Sequence, residues 1–169
     1  ESYYIKVINI SLSELAKLKK LKHISILITG SPAVGKTTLI YSLLKENLSE
    51  GFLFVQQPIK SYTSKAIPFL NLIDTRGSEV GSYYNPWLIK GLLNFIKDKS
   101  EKKNYNDFIQ CIWFCICGQW IEQTEINFLK ELKNNNYHIP LIVAINRAIE
   151  KKAINLIQNQ LKSLFNNIK

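Results

Sequence analysis

The stretch that decides the fold is ITGSPAVGKTTLI, residues 28–40. Its spacing matches the pattern G-x-x-x-x-G-K-[ST] through Gly30, Gly35, Lys36 and Thr37. In a loop of this kind successive backbone N–H groups converge on a phosphate, and the following helix directs its positive end at the same anion. The run HISILITG predicts a buried strand before the loop, and the leucine spacing of KTTLIYSLLKENL predicts a helix after it. This strand–loop–helix context favours a phosphate-binding loop over a chance match on a glycine turn.

Each position of the loop has an expected task. The side chain of Lys36 is expected to reach the β- and γ-phosphate oxygens, and the hydroxyl of Thr37 is expected to ligate Mg²⁺. The residues predicted to contact the nucleotide are the whole loop: Gly30, Ser31, Pro32, Ala33, Val34, Gly35, Lys36, Thr37 and Thr38.

A second motif lies in LNLIDTRG, where Asp74 and Gly77 give the pattern D-x-x-G. Alone this pattern is weak, because strands often end in Asp and Gly for reasons of turn geometry. Here it follows Lys36 by 38 residues, and that context strengthens it. An aspartate there can hold Mg²⁺ through water, and the Gly77 N–H can meet the γ-phosphate. We therefore predict a switch that senses whether the γ-phosphate is present.

Strand-like and helix-like stretches alternate along the chain. Buried strands are predicted at 23–30, 66–74, 107–117 and 139–146, and helices at 36–48, 85–99, 122–135 and 149–165. The more polar stretch at 52–65 is predicted to be a loop that runs into an edge strand. Buried strands that alternate with helices indicate an α/β fold with a mostly parallel sheet and helices on both faces.

The composition narrows the class of protein. The chain has 169 residues and a net charge of +9, but only two arginines, Arg76 and Arg147. So few guanidinium groups do not support base-specific nucleic-acid recognition. Binding to RNA or to an anionic membrane surface stays open without a supporting motif, but a solvated lysine surface is the commoner explanation of the charge.

Hydropathy and cysteine spacing bear on location. No apolar run reaches the roughly 18 residues of a membrane span, and residues 1–10 lack the features of a signal peptide. An intracellular location is therefore expected. Cys111, Cys115 and Cys117 are separated by even numbers of positions, four and two, in one apolar run, which predicts reduced cysteines on one face of a strand rather than a metal site.

Through GSPAVGKTTLI and LIDTRG, residues 23–169 resemble the translation-factor-like class of P-loop GTPases. They are most similar there to the Era-type and tRNA-modification GTPases, which also carry proline at the position of Pro32. The resemblance implies a three-layer P-loop NTPase fold, or G domain, that binds GTP and GDP with Mg²⁺ and hydrolyses GTP slowly. It gives Lys36 and Gly77 the catalytic roles, and it implies a protein partner or self-association through the switch region.

The sequence departs from this family at several positions. Era-type loops usually carry asparagine at the position of Ala33, where it helps to hold an activating potassium ion. Gln56 aligns near the switch threonine that closes over the metal, and Thr63, the nearest threonine, is predicted to lie on the edge strand. Ser78 stands in place of a water-orienting glutamine, and Glu79 is a weak substitute.

The base-reading motif is also degenerate. The family pattern Asn-Lys-x-Asp is replaced after the last buried strand by Asn146, Arg147, Ala148, Ile149 and Glu150. Arg147 can cover a base ring, but the aspartate is missing. Asn146 is read as the support of the base loop, with an ordinary helix cap as the alternative. Guanine is favoured by the two phosphate motifs, and an ATP-using P-loop enzyme remains open.

We expect one domain over residues 1–169. Residues 1–22 predict a strand and an amphipathic helix, which are either an extension or the family's last strand and helix in circularly permuted order. The rival to an active hydrolase is a non-catalytic nucleotide-binding interaction module, which Ala33, Gln56 and Ser78 favour.

Overall fold

The computed structural model describes residues 22–44, 48–54, 58–75, 86–101, 104, 107–118, 120–135, 139–146 and 151–165. The strands are β1 (Ile24–Gly30), β2 (Leu48–Phe54), β3 (Pro58–Ser64), β4 (Ile67–Asp74), β5 (Cys111–Cys117) and β6 (Leu141–Asn146). The helices are α1 (Lys36–Leu44), α2 (Pro86–Ser100), α3 (Gln123–Asn134) and α4 (Lys151–Phe165).

The six strands form one sheet in the order β2-β3-β4-β1-β5-β6. Strand β1 pairs in parallel with both β4 and β5, and β6 pairs in parallel with β5. Strands β2, β3 and β4 are joined by antiparallel pairing. The phosphate-loop strand is therefore central, which places the loop between the carboxyl ends of β4 and β5.

Two apolar clusters lie on opposite faces of the sheet, because successive side chains of a strand alternate between its faces. Leu27 of β1 belongs to the cluster that α2, α3 and α4 cover. Ile26 and Ile28 belong to the cluster that α1 covers. The predicted α/β fold, with a mostly parallel sheet between two helical layers, is confirmed.

The polar stretch at 52–65 departs from the prediction. It contains the end of one strand and the whole of another, β2 and β3, rather than a loop and a single edge strand. Thr63 lies on β3, which is paired on both sides, and the edge belongs to β2. Leu48, predicted to end helix α1, instead begins β2. An antiparallel edge strand need not be apolar on both faces, so its sequence carried no strong strand signal.

Strand β6 is less buried than its apolar run predicts. Ile142 is 46 % exposed, because among the described residues β6 is the last strand of the sheet and has a neighbour on one side only. No helix in the described part of the chain is long and apolar enough to cross a membrane. The strand and helix predicted for residues 1–22 lie outside the described residues, apart from Lys22.

The three cysteines lie on one face of β5, as the sequence predicts. Cys115 is buried in the cluster under α1, and Cys111 and Cys117 pack against that cluster. Burial raises the pKa of Cys115 to about 12 and that of Cys111 to about 11, so both thiols stay protonated at neutral pH. Within the described residues no group of His, Cys, Asp and Glu side chains has the arrangement of a metal site.

Gly30, the last residue of β1, has a backbone that only glycine fits well. Its φ is +137°, and a Cβ built on it would overlap the carbonyl oxygen of Cys115 on β5. The loop leaves the sheet at a point where the two strands are in direct backbone contact, so any side chain there must push β5 away.

We predict that Gly30→Ala destabilises the fold by more than backbone strain alone. Gly118→Ala is the matched control, because Gly118 also has a positive φ, +103°, but a Cβ there has no atom within 4 Å. The control should cost about 1–2 kcal/mol of unfolding free energy, and Gly30→Ala roughly 1–3 kcal/mol more. Equal losses for both variants in urea unfolding would show that the contact with β5 is not limiting.

Candidate phosphate-binding site

The predicted loop residues surround a concave site at the carboxyl ends of β1 and β4. A cavity of about 510 Å³ lies there. Its lining combines loop, helix and strand residues: Ala33, Gly35, Lys36, Thr37, Thr38, Tyr41, Lys60, Tyr62, Asp74 and Thr75. Ligands of open α/β sheets bind at this edge, where neighbouring strands lead in opposite directions around the sheet.

The loop backbone takes the conformations that turn its amides inward. Ala33 has a φ of +59° and Gly35 one of +92°, both in the left-handed region that non-glycine residues rarely adopt. Helix α1 begins directly after Gly35, whose carbonyl accepts a hydrogen bond from the Leu39 N–H at 2.9 Å. The first amides of α1 therefore point into the cavity with the positive end of the helix.

Lys36 lies inside the loop rather than in solvent. It is only 5 % exposed, and its ammonium group donates to the carbonyl oxygens of Gly30 at 3.0 Å and Ser31 at 2.8 Å. A buried ammonium group needs such partners to offset its lost hydration. These two bonds hold the charge at the mouth of the loop, beside the cavity.

Thr37 joins the loop to the second motif. Its hydroxyl donates to the Asp74 carboxylate at 2.9 Å, and Asp74 is buried at the end of β4. The next residue, Thr75, is tied to β1 by its N–H, which donates to the Ile28 carbonyl at 3.1 Å. The two motifs thus meet as one cluster of oxygen atoms, as the sequence predicts.

Those oxygens fit a hard divalent cation. Hydroxyl and carboxylate oxygens are the ligands that Mg²⁺ prefers, and Mg²⁺ is usually held by one or two protein groups together with phosphate. Thr37 and Asp74 supply that donor set beside the phosphate loop.

Asn146 supports the loop from a third strand. It is the last residue of β6, and its side-chain amide donates to the Val34 carbonyl at 2.8 Å. Helix α4 begins at Lys151, and residues 147–150 lie outside the described residues, so the alternative of a helix cap stays open. The side chain also lies 3.4 Å from the position that a Cβ on Gly35 would take.

Sequence reasoning missed a fourth support, Glu125. Its side chain is 4 % exposed and accepts from the Ser31 hydroxyl at 2.5 Å. Its other oxygen accepts from the Glu122 N–H at 3.0 Å, which caps the start of α3. One buried carboxylate therefore links the helix terminus to the second residue of the loop.

Burial raises the pKa of Glu125 above its ordinary value, although the hydrogen bonds from Ser31 and the Glu122 backbone oppose the shift. The helix-start pattern in EQTEIN was visible in the sequence, but its contact with a loop 94 residues away was not.

Several predicted site residues lie outside the described part of the chain. These are Gln56, Arg76, Gly77, Ser78, Glu79, Arg147, Ala148, Ile149 and Glu150. The contact of the Gly77 N–H with the γ-phosphate and the role of the base-reading motif therefore stay predictions. Pro32 lies in the described loop and is exposed.

The sequence matches no protein-family model and no curated protein. The fold does match solved structures. The G domain of the T. maritima FeoB iron transporter superposes with a TM-score of 0.53 at 19 % identity, over 85 % of this chain and 83 % of that one.

Two single-residue variants of S. thermophilus NFeoB, one without nucleotide and one bound to GDP, superpose with TM-scores of 0.50. Their identities are 22 % and 20 %, over 72 % of this chain. The chain spans 44 % of the length of those NFeoB chains. The fold is that of a P-loop NTPase G domain.

We predict that the Glu125 carboxyl makes stability depend on pH. Because its folded pKa is raised, the folded state binds more protons than the unfolded state above about pH 4.5, so stability falls as pH rises through that window. Glu125→Gln, which does not titrate, should lack this fall. The difference in unfolding free energy between variant and wild type should grow in favour of the variant from pH 4.5 upwards.

Urea unfolding at several pH values measures that difference. Glu131→Gln, which removes a partly exposed carboxylate from the same helix, is the control. The prediction would be contradicted if the unfolding free energies of the wild type and of Glu125→Gln changed in parallel with pH above pH 4.5.

Proposed function

We propose that this chain is a guanine-nucleotide-binding switch that hydrolyses GTP slowly with Mg²⁺. The observation that carries the proposal is the 2.9 Å bond between Thr37 and Asp74, which joins the phosphate loop to the strand end of the second motif beside the buried Lys36. The match to G domains supports the fold on which this chemistry depends. Guanine rests on the two phosphate motifs and on the position of Asn146.

The residues have distinct tasks in this proposal. The loop amides and the start of α1 bind the phosphates, and Lys36 places its charge against the β- and γ-phosphate oxygens. Thr37 and Asp74 would hold Mg²⁺, which would neutralise part of the negative charge on the phosphate groups. Gly77 offers its N–H to the γ-phosphate. Asn146 and Arg147 position the base, the first through the loop carbonyl of Val34.

A protein partner or self-association through the switch region completes the proposal. Helix α2 begins at Pro86, which follows the D-x-x-G motif of Asp74 and Gly77 in the sequence, and Trp87 in its first turn is 81 % exposed. Large exposed aromatic side chains are enriched at the centres of protein interfaces. A partner bound there would be placed to supply the groups that this chain lacks for fast hydrolysis.

We predict that Asp74→Ala and Lys36→Ala lower affinity for GTP in different ways. A carboxylate that acts on phosphate through a metal should matter in Mg²⁺ and much less in EDTA. Lys36→Ala should lose more than ~2 kcal/mol of binding free energy in both conditions, because it removes a direct charge-assisted contact.

Equilibrium binding of a fluorescent GTP analogue, with and without Mg²⁺, distinguishes the two variants. Equal losses for Asp74→Ala in both conditions would make it a strand-end residue only. Unchanged binding by Lys36→Ala would remove the assignment of the phosphate loop.

We predict slow hydrolysis by the isolated chain, about 10⁻⁴–10⁻³ s⁻¹, as for unassisted switches. Ser78 cannot orient water as glutamine does, and Ala33 offers no side-chain ligand to potassium. Single-turnover GTP cleavage, at low and high protein concentration and with sodium replaced by potassium, measures both effects.

A fast rate that requires potassium would contradict the roles inferred for Ala33 and Ser78. A rate that rises with protein concentration would indicate that self-association supplies the missing groups. Absence of cleavage under every condition would favour the non-catalytic nucleotide-binding module.

A further inference from the structure

Lys60 is a cation of the cavity that neither sequence motif contains. It lies on β3, directly opposite Asp74 of β4 in the antiparallel register, and it lines the same cavity as Lys36. Residues directly opposite on such a pair have their side chains on the same face of the sheet. Among the described residues, the charged lining of the cavity is two lysines and one aspartate, a net positive charge that suits an anion.

Strand β3 holds Lys60 in a fixed position relative to the phosphate loop. Two residues along, the ring of Tyr62 is buried and meets Tyr41 of α1 edge to face, with centroids 6.1 Å apart. At the end of the strand, the Ser64 hydroxyl donates to the Leu44 carbonyl of α1 at 3.3 Å. The strand is also paired on both sides. The backbone at Lys60 is therefore held in place before a ligand binds, and only the side chain has to be ordered by the contact.

Lys36 and Lys60 lie on opposite sides of the carboxyl end of β4. Lys36 is bound to the carbonyls at the end of β1, whereas Lys60 lies on β3, two strands or roughly 10 Å away. Strand β4, with Asp74, runs between them. A phosphate chain that starts in the loop and extends toward β4 approaches Lys60 only with its terminal group, and the flexible four-carbon stem of lysine can follow that group.

We propose that Lys60 selects nucleoside triphosphates over diphosphates by placing a second cation against the terminal phosphate. The inference rests on the proposed nucleotide switch and deepens it, because it names a residue that distinguishes the two states. A diphosphate, held by the loop amides and Lys36, leaves this contact unmade.

The test compares Lys60→Met with wild type for binding of GDP and of a non-hydrolysable GTP analogue in Mg²⁺. Methionine keeps an unbranched apolar stem and removes the charge. Affinity for the triphosphate should fall about tenfold or more, as expected for the loss of a charge-assisted contact, while affinity for GDP should change by less than about twofold. Lys60→Arg should keep most of the preference.

Lys65→Met is the matched control, because Lys65 is exposed in the turn after β3 and carries the same charge away from the cavity. It should leave the ratio of the two affinities unchanged. Lys60→Gln repeats the experiment if the methionine variant does not fold. Equal losses of affinity for GDP and for the triphosphate would overturn the proposal, because they would make Lys60 a support of Asp74. No loss of affinity for either nucleotide would overturn it as well.

The same ratio measured with ADP and a non-hydrolysable ATP analogue separates this inference from the choice of base. Tight adenine binding with a triphosphate preference that Lys60→Met abolishes would refute the guanine switch and uphold the role of Lys60. Guanine binding with a ratio of triphosphate to diphosphate affinity that Lys60→Met leaves unchanged would uphold the guanine switch and refute the role of Lys60.

Discussion

The close approach of Gly30 to strand β5 is the constraint on which the rest of the structure depends. Because no side chain separates Gly30 from the Cys115 carbonyl, the chain can turn out of the sheet immediately and fold back over its own strand end. That turn presents the carbonyls of Gly30 and Ser31 to Lys36, and it starts α1 with its positive end at the cavity. The loop that can surround an anion therefore depends on the absence of a side chain at Gly30.

Two further strands and one helix then hold in place the loop that Gly30 makes possible. Asp74 binds it through Thr37, Asn146 through the Val34 carbonyl, and Glu125 through the Ser31 hydroxyl. These contacts come from the ends of β4 and β6 and from the start of α3, so the loop is held from several directions. Such preorganisation lowers the entropic cost of ordering the site when a ligand binds. The same contacts connect the loop to β4, β6 and α3.

The sequence predicted the parts whose signal is local. The spacing of Gly30, Gly35 and Lys36, the alternation of apolar runs, and Asp74 at a strand end all depend on neighbouring residues, and the structure has each where it was expected. Glu125 was missed because EQTEIN resembles any exposed helix start, and only the tertiary fold buries it. Lys60 was missed because the polar stretch around it was predicted as a loop that runs into an edge strand, and nothing local in the sequence places that strand beside Asp74 at the end of β4.

The identity of the nucleotide tests the central claim most directly, because the base-reading residues 147–150 lie outside the described part of the chain. The protein is incubated with equal amounts of GTP and ATP in Mg²⁺, freed of unbound nucleotide and denatured, and the released nucleotide is identified by chromatography. We predict guanine nucleotide from the wild type and none from Lys36→Ala. Predominantly adenine nucleotide, or no nucleotide from the wild type, would contradict the account.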